Sequence, residues 1–310
     1  MGIKKSTTIL LDDCYNTPKT ALLIFNFEPQ PFEVSRLQSC SIKHASLEGK
    51  DIYILDDFFE ENENQEMRDF SKKATFSRNS YGSVESIEKG EKPARSMNGQ
   101  ERWRFFSNPP QAIGEVYKLL GMLSHQMDAE ISTMPWELCN ESSGSPSVIA
   151  NFLEEASHES MDFGKHQDYD PEKKISFGIP VLYSKEKEFY PTQFVNGEPG
   201  RPWLVSVMVY CTGEDFLPEY CMGTAFYNKD GEIGLRANCA SMRIVLFEGD
   251  IFHSIEKSEI PSDKKTWRVS YVFKLLINPK SPDQCMKKIF SEVVEKFQVD
   301  RLSVGPHERV

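Results

Sequence analysis

The triplet His166-Gln167-Asp168 sets an imidazole and a carboxylate two residues apart, and His253 stands far downstream in the apolar run Ile251-Phe252-His253-Ser254-Ile255. Side chains at i and i+2 of an extended segment point the same way, so His166 and Asp168 can reach one ion from one strand end. Two imidazoles and one carboxylate suit a divalent iron held on one face, with the opposite positions open to a cosubstrate and oxygen. Taken singly, each piece has an ordinary reading as well. The triplet lies near Pro171 and reads as solvated turn chemistry. A lone histidine flanked by Ile251 and Ile255 reads as a satisfied core residue.

The next run, Trp267-Arg268-Val269-Ser270-Tyr271-Val272-Phe273, changes the balance. Its alternation puts Arg268, Ser270 and Val272 on one face and Trp267, Val269, Tyr271 and Phe273 on the other. A guanidinium among apolar residues is costly without a partner. A bound carboxylate held by two parallel hydrogen bonds supplies one, and the Ser270 hydroxyl adds a third donor. A structural ion pair to a core Asp or Glu is the alternative.

Those side chains need strands to position them. From Ser147 onward the sequence predicts many: Ser147–Phe152, Leu204–Tyr210, Thr224–Tyr227, Arg243–Phe247, Ile251–Ile255 and Trp267–Phe273, separated by Gly, Asp and Pro. Short strands with turn punctuation predict a sandwich or barrel. Phe247-Glu248-Gly249-Asp250 predicts a tight turn into the His253 strand, and Pro261-Ser262-Asp263-Lys264 predicts the hairpin turn before the Arg268 strand. Upstream, Asp51–Leu55 predicts a strand delivering Phe58 and Phe59 to the core, and Glu60–Lys73 a surface helix. Residues 78–102, rich in Ser, Gly, Lys and Glu, read as a loop. Pro110 opens a helix whose Ile113, Val116, Tyr117, Leu120, Leu123 and Met127 recur at helical spacing. A last helix follows Pro282, with Met286, Ile289, Phe290, Val293, Val294 and Phe297 on one face. The expected division is an extension over 1–50, a main domain over 51–280 and a C-terminal helix and tail over 281–310 packed on it. Residues 173–202 are longer than a hairpin needs. They carry Phe177, Tyr183, Phe189, Tyr190 and Phe194 and read as an inserted lid, or as a loop packing on its own barrel.

Composition narrows the function class. The 310 residues are 39% hydrophobic and 12% aromatic, enough for a sizeable core. A net charge of −11 argues against a nucleic-acid partner, because an acidic chain repels phosphate backbones. The seven cysteines form no C-x-x-C pair, and their odd count argues against a disulfide framework, so reduced thiols in the cytoplasm are expected. No stretch predicts a membrane span. The start, Met1-Gly2-Ile3-Lys4-Lys5-Ser6, lacks a signal-peptide core but fits the loose Gly2/Ser6 myristoylation pattern.

H-x-D, a distant histidine on a late strand and R-x-S on the following one resemble the iron(II)/2-oxoglutarate-dependent oxygenases. The strand order from Leu204 through Gly223–Phe226 to Arg243–Asp250 and His253 resembles their prolyl-hydroxylase-like branch, as do the strand at Ile52–Leu55 and the polar segment after it. The match covers roughly residues 50 to 276. The resemblance implies a mainly β (α+β) fold with supporting helices around a double-stranded β-helix, the jelly-roll or cupin-like core. It implies that His166, Asp168 and His253 bind Fe(II), that Arg268 and Ser270 hold the far carboxylate of 2-oxoglutarate, and that O2 is the oxidant. Asn151 is the candidate for supporting the cosubstrate. The substrate class implied is a protein or peptide side chain, or a small amino-acid-like molecule. Two other readings stay open: an alkylated-nucleic-acid demethylase of the same superfamily, with Lys274 as a second basic residue after Arg268, and a non-catalytic β-sandwich binding module.

Overall fold

Strand β12 (Trp203–Thr212) is buried at every position, the pattern of a strand covered on both faces. Val205, Val207, Val209 and Cys211 enter one core, and Met208 and Tyr210 enter another. The computed structural model describes residues 3–11, 20–78, 95–97, 104–133, 136–138, 148–154, 165–169, 175–176, 179–180, 195–261 and 263–310. Around β12 the large sheet runs β1 (Ile3–Leu11), β2 (Thr20–Phe27), β7 (Ala129–Thr133), β17 (Trp267–Pro279), β12, β15 (Ile244–Glu248), β4 (Lys50–Asp56), β3 (Ser41–Leu47) and β18 (Val299–Arg301). Four short strands join it off this path: β9 (Val148–Glu154) pairs with β17, β8 (Trp136–Leu138) with β2, β6 (Arg95–Met97) with β9, and β5 (Phe76–Arg78) with β6. A second sheet has the order β14 (Ile233–Ala237), β13 (Thr224–Tyr227) and β16 (Phe252–Ile255). A two-stranded piece, β10 (Ile175–Ser176) with β11 (Ile179–Pro180), completes the strands of the described residues. The fold is mainly β, as the sequence predicts.

The period-two alternation of β17 sorts its side chains between the two cores. Val269, Tyr271, Phe273, Leu275 and Ile277 lie on the helix side, and Val272 lies between the sheets. The helix side is covered by α1 (Ser35–Ser39), α2 (Glu61–Lys73), α3 (Gln111–Gln126) and α4 (Met286–Val294). All six residues read as the α3 stripe are buried in that core, as are Met286, Phe290 and Val293 of α4. Each fully buried aliphatic side chain there contributes about 1.5–3 kcal/mol. The core between the sheets is smaller and joins Met208, Val245, Phe247 and Val272 of the large sheet to Phe226, Leu235 and Ala237 of the small one. No helix among the described residues is long and apolar enough to cross a membrane. The five described cysteines are free thiols; Cys14 and Cys139 lie outside the described residues.

Two sequence expectations are corrected. Pro261–Lys264 does form a turn, with the Lys264 N–H donating to the Pro261 carbonyl at 3.0 Å, but it closes no hairpin. β16 pairs with β13 in the small sheet and β17 joins the large one, so the segment carries the chain across from one sheet to the other. Turn residues report a reversal of the chain and not the sheet that receives it. The stretch 78–102 is not wholly loop, because Arg95–Met97 pairs with both β5 and β9. Its remaining residues 79–94 and 98–102, Gly2 with its lipidation pattern, and the five aromatic residues of the 173–202 stretch lie outside the described residues.

β15 and β4 are also tied by charge. Arg243 donates through Nε to Asp56 Oδ1 at 2.6 Å and through Nη2 to Oδ2 at 2.9 Å, and Lys43 adds a contact to Oδ2 at 3.0 Å. Burial alone would raise the Asp56 carboxyl, but these cations hold it below the usual carboxylate range. A depressed folded-state value means that the stabilisation is fully present above the unfolded value, near 4, and is lost as pH falls through the folded one. Asp56→Asn is therefore expected to cost about 2 kcal/mol at pH 7 in urea unfolding. The difference from wild type should shrink below about pH 4, where the wild-type carboxylate is itself protonated; a difference that is flat from pH 7 to 3 would contradict this.

Candidate metal centre

The small sheet delivers the histidines. On β16, His253 lies opposite Phe226 of β13, and its other edge is met by the chain at His166. The His166 N–H donates to the His253 carbonyl at 3.0 Å and the His253 N–H returns a bond to the His166 carbonyl at 2.9 Å. This isolated antiparallel bridge places the two side chains on one face, with ring centroids 4.4 Å apart. The triplet is pinned again just beyond. The Gln167 side chain donates to the Asp250 carbonyl at 2.7 Å, and the Tyr169 N–H to the Gly249 carbonyl at 2.9 Å.

Asp168 lies between the sheets at 1% exposure. Its Oδ1 is 3.8 Å from His166 Nε2 and 3.6 Å from His253 Nε2, and one ligand atom from each residue falls within 4.8 Å of the others. Its Oδ2 turns to the large sheet, accepting from Ser206 Oγ at 2.5 Å and from Lys274 Nζ. Ser206 and Lys274 are directly opposed across β12 and β17. His253 Nδ1 lies 2.9 Å from the Ile251 carbonyl. A carbonyl can only accept, so Nδ1 carries the proton and Nε2 presents its lone pair toward Asp168.

The electrostatics follow from burial. Burial pushes the His253 imidazole down to about 4, against the pull of Asp168, so the ring is neutral at pH 7. Burial alone would raise Asp168, but Lys274 and the two imidazoles bring it down to about 2. The Lys274 ammonium is lowered by its own burial and supported by Asp168. Neutral imidazole and ionised carboxylate are the protonation states that bind a cation.

Arg268 is fully buried. Its Nε donates to the Met222 carbonyl and its Nη1 to Ser270 Oγ, both at 3.0 Å. Its guanidinium carbon sits 5.3 Å from the Tyr210 ring centroid. The guanidinium also lies against the buried Cys239 thiol, but Nη2 makes no hydrogen bond within the usual geometry among the described residues, so a donor remains to be spent inside the protein. The carbonyl it faces is presented by a strained pair: Cys221 and Met222 both have φ of 57°, a region that non-glycine residues adopt at a cost and that clusters at functional sites. Tyr210 bonds Thr224 Oγ1 at 2.6 Å, and Thr224 is two residues from Phe226 on β13. The backbone of Asn151 pairs with Ser270; its side chain lies outside the described residues, as do residues 155–164.

Three supporting residues escape the sequence reading. Ser206 carried the same signal as Ser270, a hydroxyl on one face of an apolar strand. Asn196 and Asp250 carried none. Asn196 is buried, accepts from the Leu204 N–H at 2.8 Å, and donates to the Leu204 carbonyl at 2.9 Å and to Asp250 Oδ1 at 3.0 Å. Lys50 contacts both Asp250 Oδ2 and its carbonyl at 2.9 Å. Together they hold the turn that leads into His253.

No family model matches the chain, and no curated protein matches it. Among solved structures, it is similar to a prolyl hydroxylase from Trichoplax adhaerens, in complex with a hypoxia inducible factor oxygen degradation domain peptide fragment. That similarity has 12% identity and a TM-score of 0.36, over 78% of this chain and 86% of that one. It is also similar to a Pseudomonas putida prolyl-4-hydroxylase, at 11% identity and a TM-score of 0.30, over 80% of this chain and 97% of that one. These likenesses are low and assign no function to the chain.

Asn196→Ala removes three hydrogen bonds beside the β15–β16 turn. It is expected to cost about 2–3 kcal/mol in urea unfolding, because buried partners are left unsatisfied. A loss under about 0.5 kcal/mol, the size of an ordinary surface change, would show that the turn is held by other contacts.

Proposed function

We propose that this chain is an iron(II)- and 2-oxoglutarate-dependent dioxygenase that hydroxylates a C–H bond of a protein or peptide side chain, or of an amino-acid-like molecule. The observation that carries the reading is the convergence of His166 Nε2, His253 Nε2 and Asp168 Oδ1. The donor set fits a ferrous ion: two imidazoles and a carboxylate, with no thiolate in the group among the described residues. The Ile251 carbonyl fixes the ring of His253, as outer partners of metal-bound histidines do. A zinc ion would accept the same donors. Arg268 favours the cosubstrate-dependent iron site, because a buried guanidinium with a donor still to spend suits a dicarboxylate.

Bound iron would supply the activation of O2, coupled to decarboxylation of the cosubstrate. The protein's part is to bind, orient and keep water out. His166 and His253 give nitrogen lone pairs, and Asp168 gives negative charge. Arg268 and Ser270 hold the far carboxylate, and Asn151 is retained as a candidate support on the neighbouring strand. Phe226 and Phe247 flank the His253 ring at 6.2 and 4.8 Å between centroids and keep that side of the site dry. The double-stranded β-helix belongs to the same reading: the chain passes from large sheet to small at the turn after β15 and back again after β16. The net charge of −11 leaves oligonucleotides the weaker substrate class.

Anaerobic titration tests this. The wild-type protein is expected to bind one equivalent of Fe(II) and then, with 2-oxoglutarate, to develop a visible charge-transfer band. His253→Ala should abolish iron binding and turnover. Arg268→Ala should keep iron affinity within a few-fold and weaken 2-oxoglutarate by roughly 30- to 150-fold, the loss of about 2–3 kcal/mol in charge-assisted bonds. Equal weakening of both ligands would remove Arg268 from the carboxylate site. The absence of any wild-type iron binding would return the chain to a non-catalytic module.

A further inference from the structure

The two oxygens of Asp168 have different neighbours. Oδ1 faces the imidazoles of the small sheet, and Oδ2 is held from the large sheet by Lys274 Nζ and Ser206 Oγ. Lys274 is 4% exposed and Ser206 is fully buried. Lys274 Nζ also lies 3.3 Å from Ser206 Oγ. Burying an ammonium is costly, and a hydroxyl alone offers a carboxylate oxygen a hydrogen bond. The ammonium adds a charge-assisted bond, which is shorter and stronger than a neutral one, and its stem is fixed within β17.

We propose that Lys274 and Ser206 are positioning residues that hold Asp168 Oδ2 against the large sheet, so that Asp168 offers a metal ion one oxygen only. This rests on the reading of His166, Asp168 and His253 as a metal centre, and it adds the reason for the ion pair behind it. A carboxylate can give a cation one oxygen or two. On an octahedral ion, two imidazoles and one carboxylate oxygen leave about three positions open. A keto acid chelating through two atoms, together with oxygen, needs all of them. A second oxygen from Asp168 would take one away. Lys274 therefore acts on the number of open positions and not on whether the ion binds.

Mn(II) is the probe, because water-proton relaxation counts the exchangeable waters on it. Wild-type protein loaded with Mn(II) is expected to show about three exchangeable waters. Lys274→Met should still bind Mn(II) but show about two, as Oδ2 swings onto the ion. Lys274→Arg, which keeps a charged donor, should restore the wild-type count. A Lys274→Met variant with the wild-type count overturns the proposal. So does one that keeps the count and loses only 2-oxoglutarate affinity, which would make Lys274 a ligand contact. Wild-type protein that takes up no Mn(II) overturns the metal-centre reading itself, a separate result. Infrared difference spectra of wild-type protein with and without Mn(II), carrying 13C-labelled aspartate carboxylates, test the point without any variant. A wide separation of the two carboxylate stretches is expected for one-oxygen ligation, and a narrow, chelating separation overturns the proposal.

Discussion

An ionised carboxylate in a protein interior has to be compensated, and for Asp168 the compensating charge comes from the large sheet. The small sheet brings the imidazoles of His166 and His253 to one oxygen, and the large sheet brings Lys274 and Ser206 to the other. Neither sheet alone makes the site. The carboxylate is the joint between them, and the Lys274 ammonium leads the groups that hold its pKa low, near 2, against the effect of burial. Removing Lys274 and Ser206 would strip that buried charge of its hydrogen-bonded counter-charge, which is costly.

The large sheet can take part because β12 and β17 serve two cores at once. Their odd-numbered residues fill the helix-covered side, which is apolar over Val205–Val209 and Val269–Phe273 but for the Tyr271 hydroxyl, which bonds Ser71 Oγ at 2.7 Å. Their even-numbered residues face the small sheet, where Arg268, Ser270, Ser206 and Lys274 sit among Met208, Tyr210 and Val272. The stability of the first core carries the cost of polar groups in the second. The backbone does the same on the small sheet. Two hydrogen bonds between His166 and His253 register the histidines before either side chain makes a contact of its own.

Much of this was legible in the sequence. The β17 alternation separated Arg268 and Ser270 from Val269 and Tyr271 because period-two patterning survives whenever two faces have different surroundings. The helical stripes of α3 and α4 were legible for the same reason at period 3.6. The H-x-D triplet and His253 were legible as chemistry, although only their shared face makes them a site. What stayed hidden is what local patterns do not encode. Turn residues at Pro261–Lys264 did not reveal a crossing between sheets. Lys274 stood in plain view after Arg268, but its pairing with Asp168 spans 106 residues. Asn196 sits in a stretch that read as an insert, and Asp250 read as no more than a turn residue.

On the proposed reading, His166, Asp168 and His253 hold one ferrous ion in a single centre between the sheets. Crystals grown anaerobically with Fe(II), with diffraction collected on both sides of the iron absorption edge, test it most directly. One anomalous peak is expected within ligand distance, about 2.0–2.2 Å, of His166 Nε2, Asp168 Oδ1 and His253 Nε2. Protein that crystallises with no peak there, or with iron held by other residues, would contradict it.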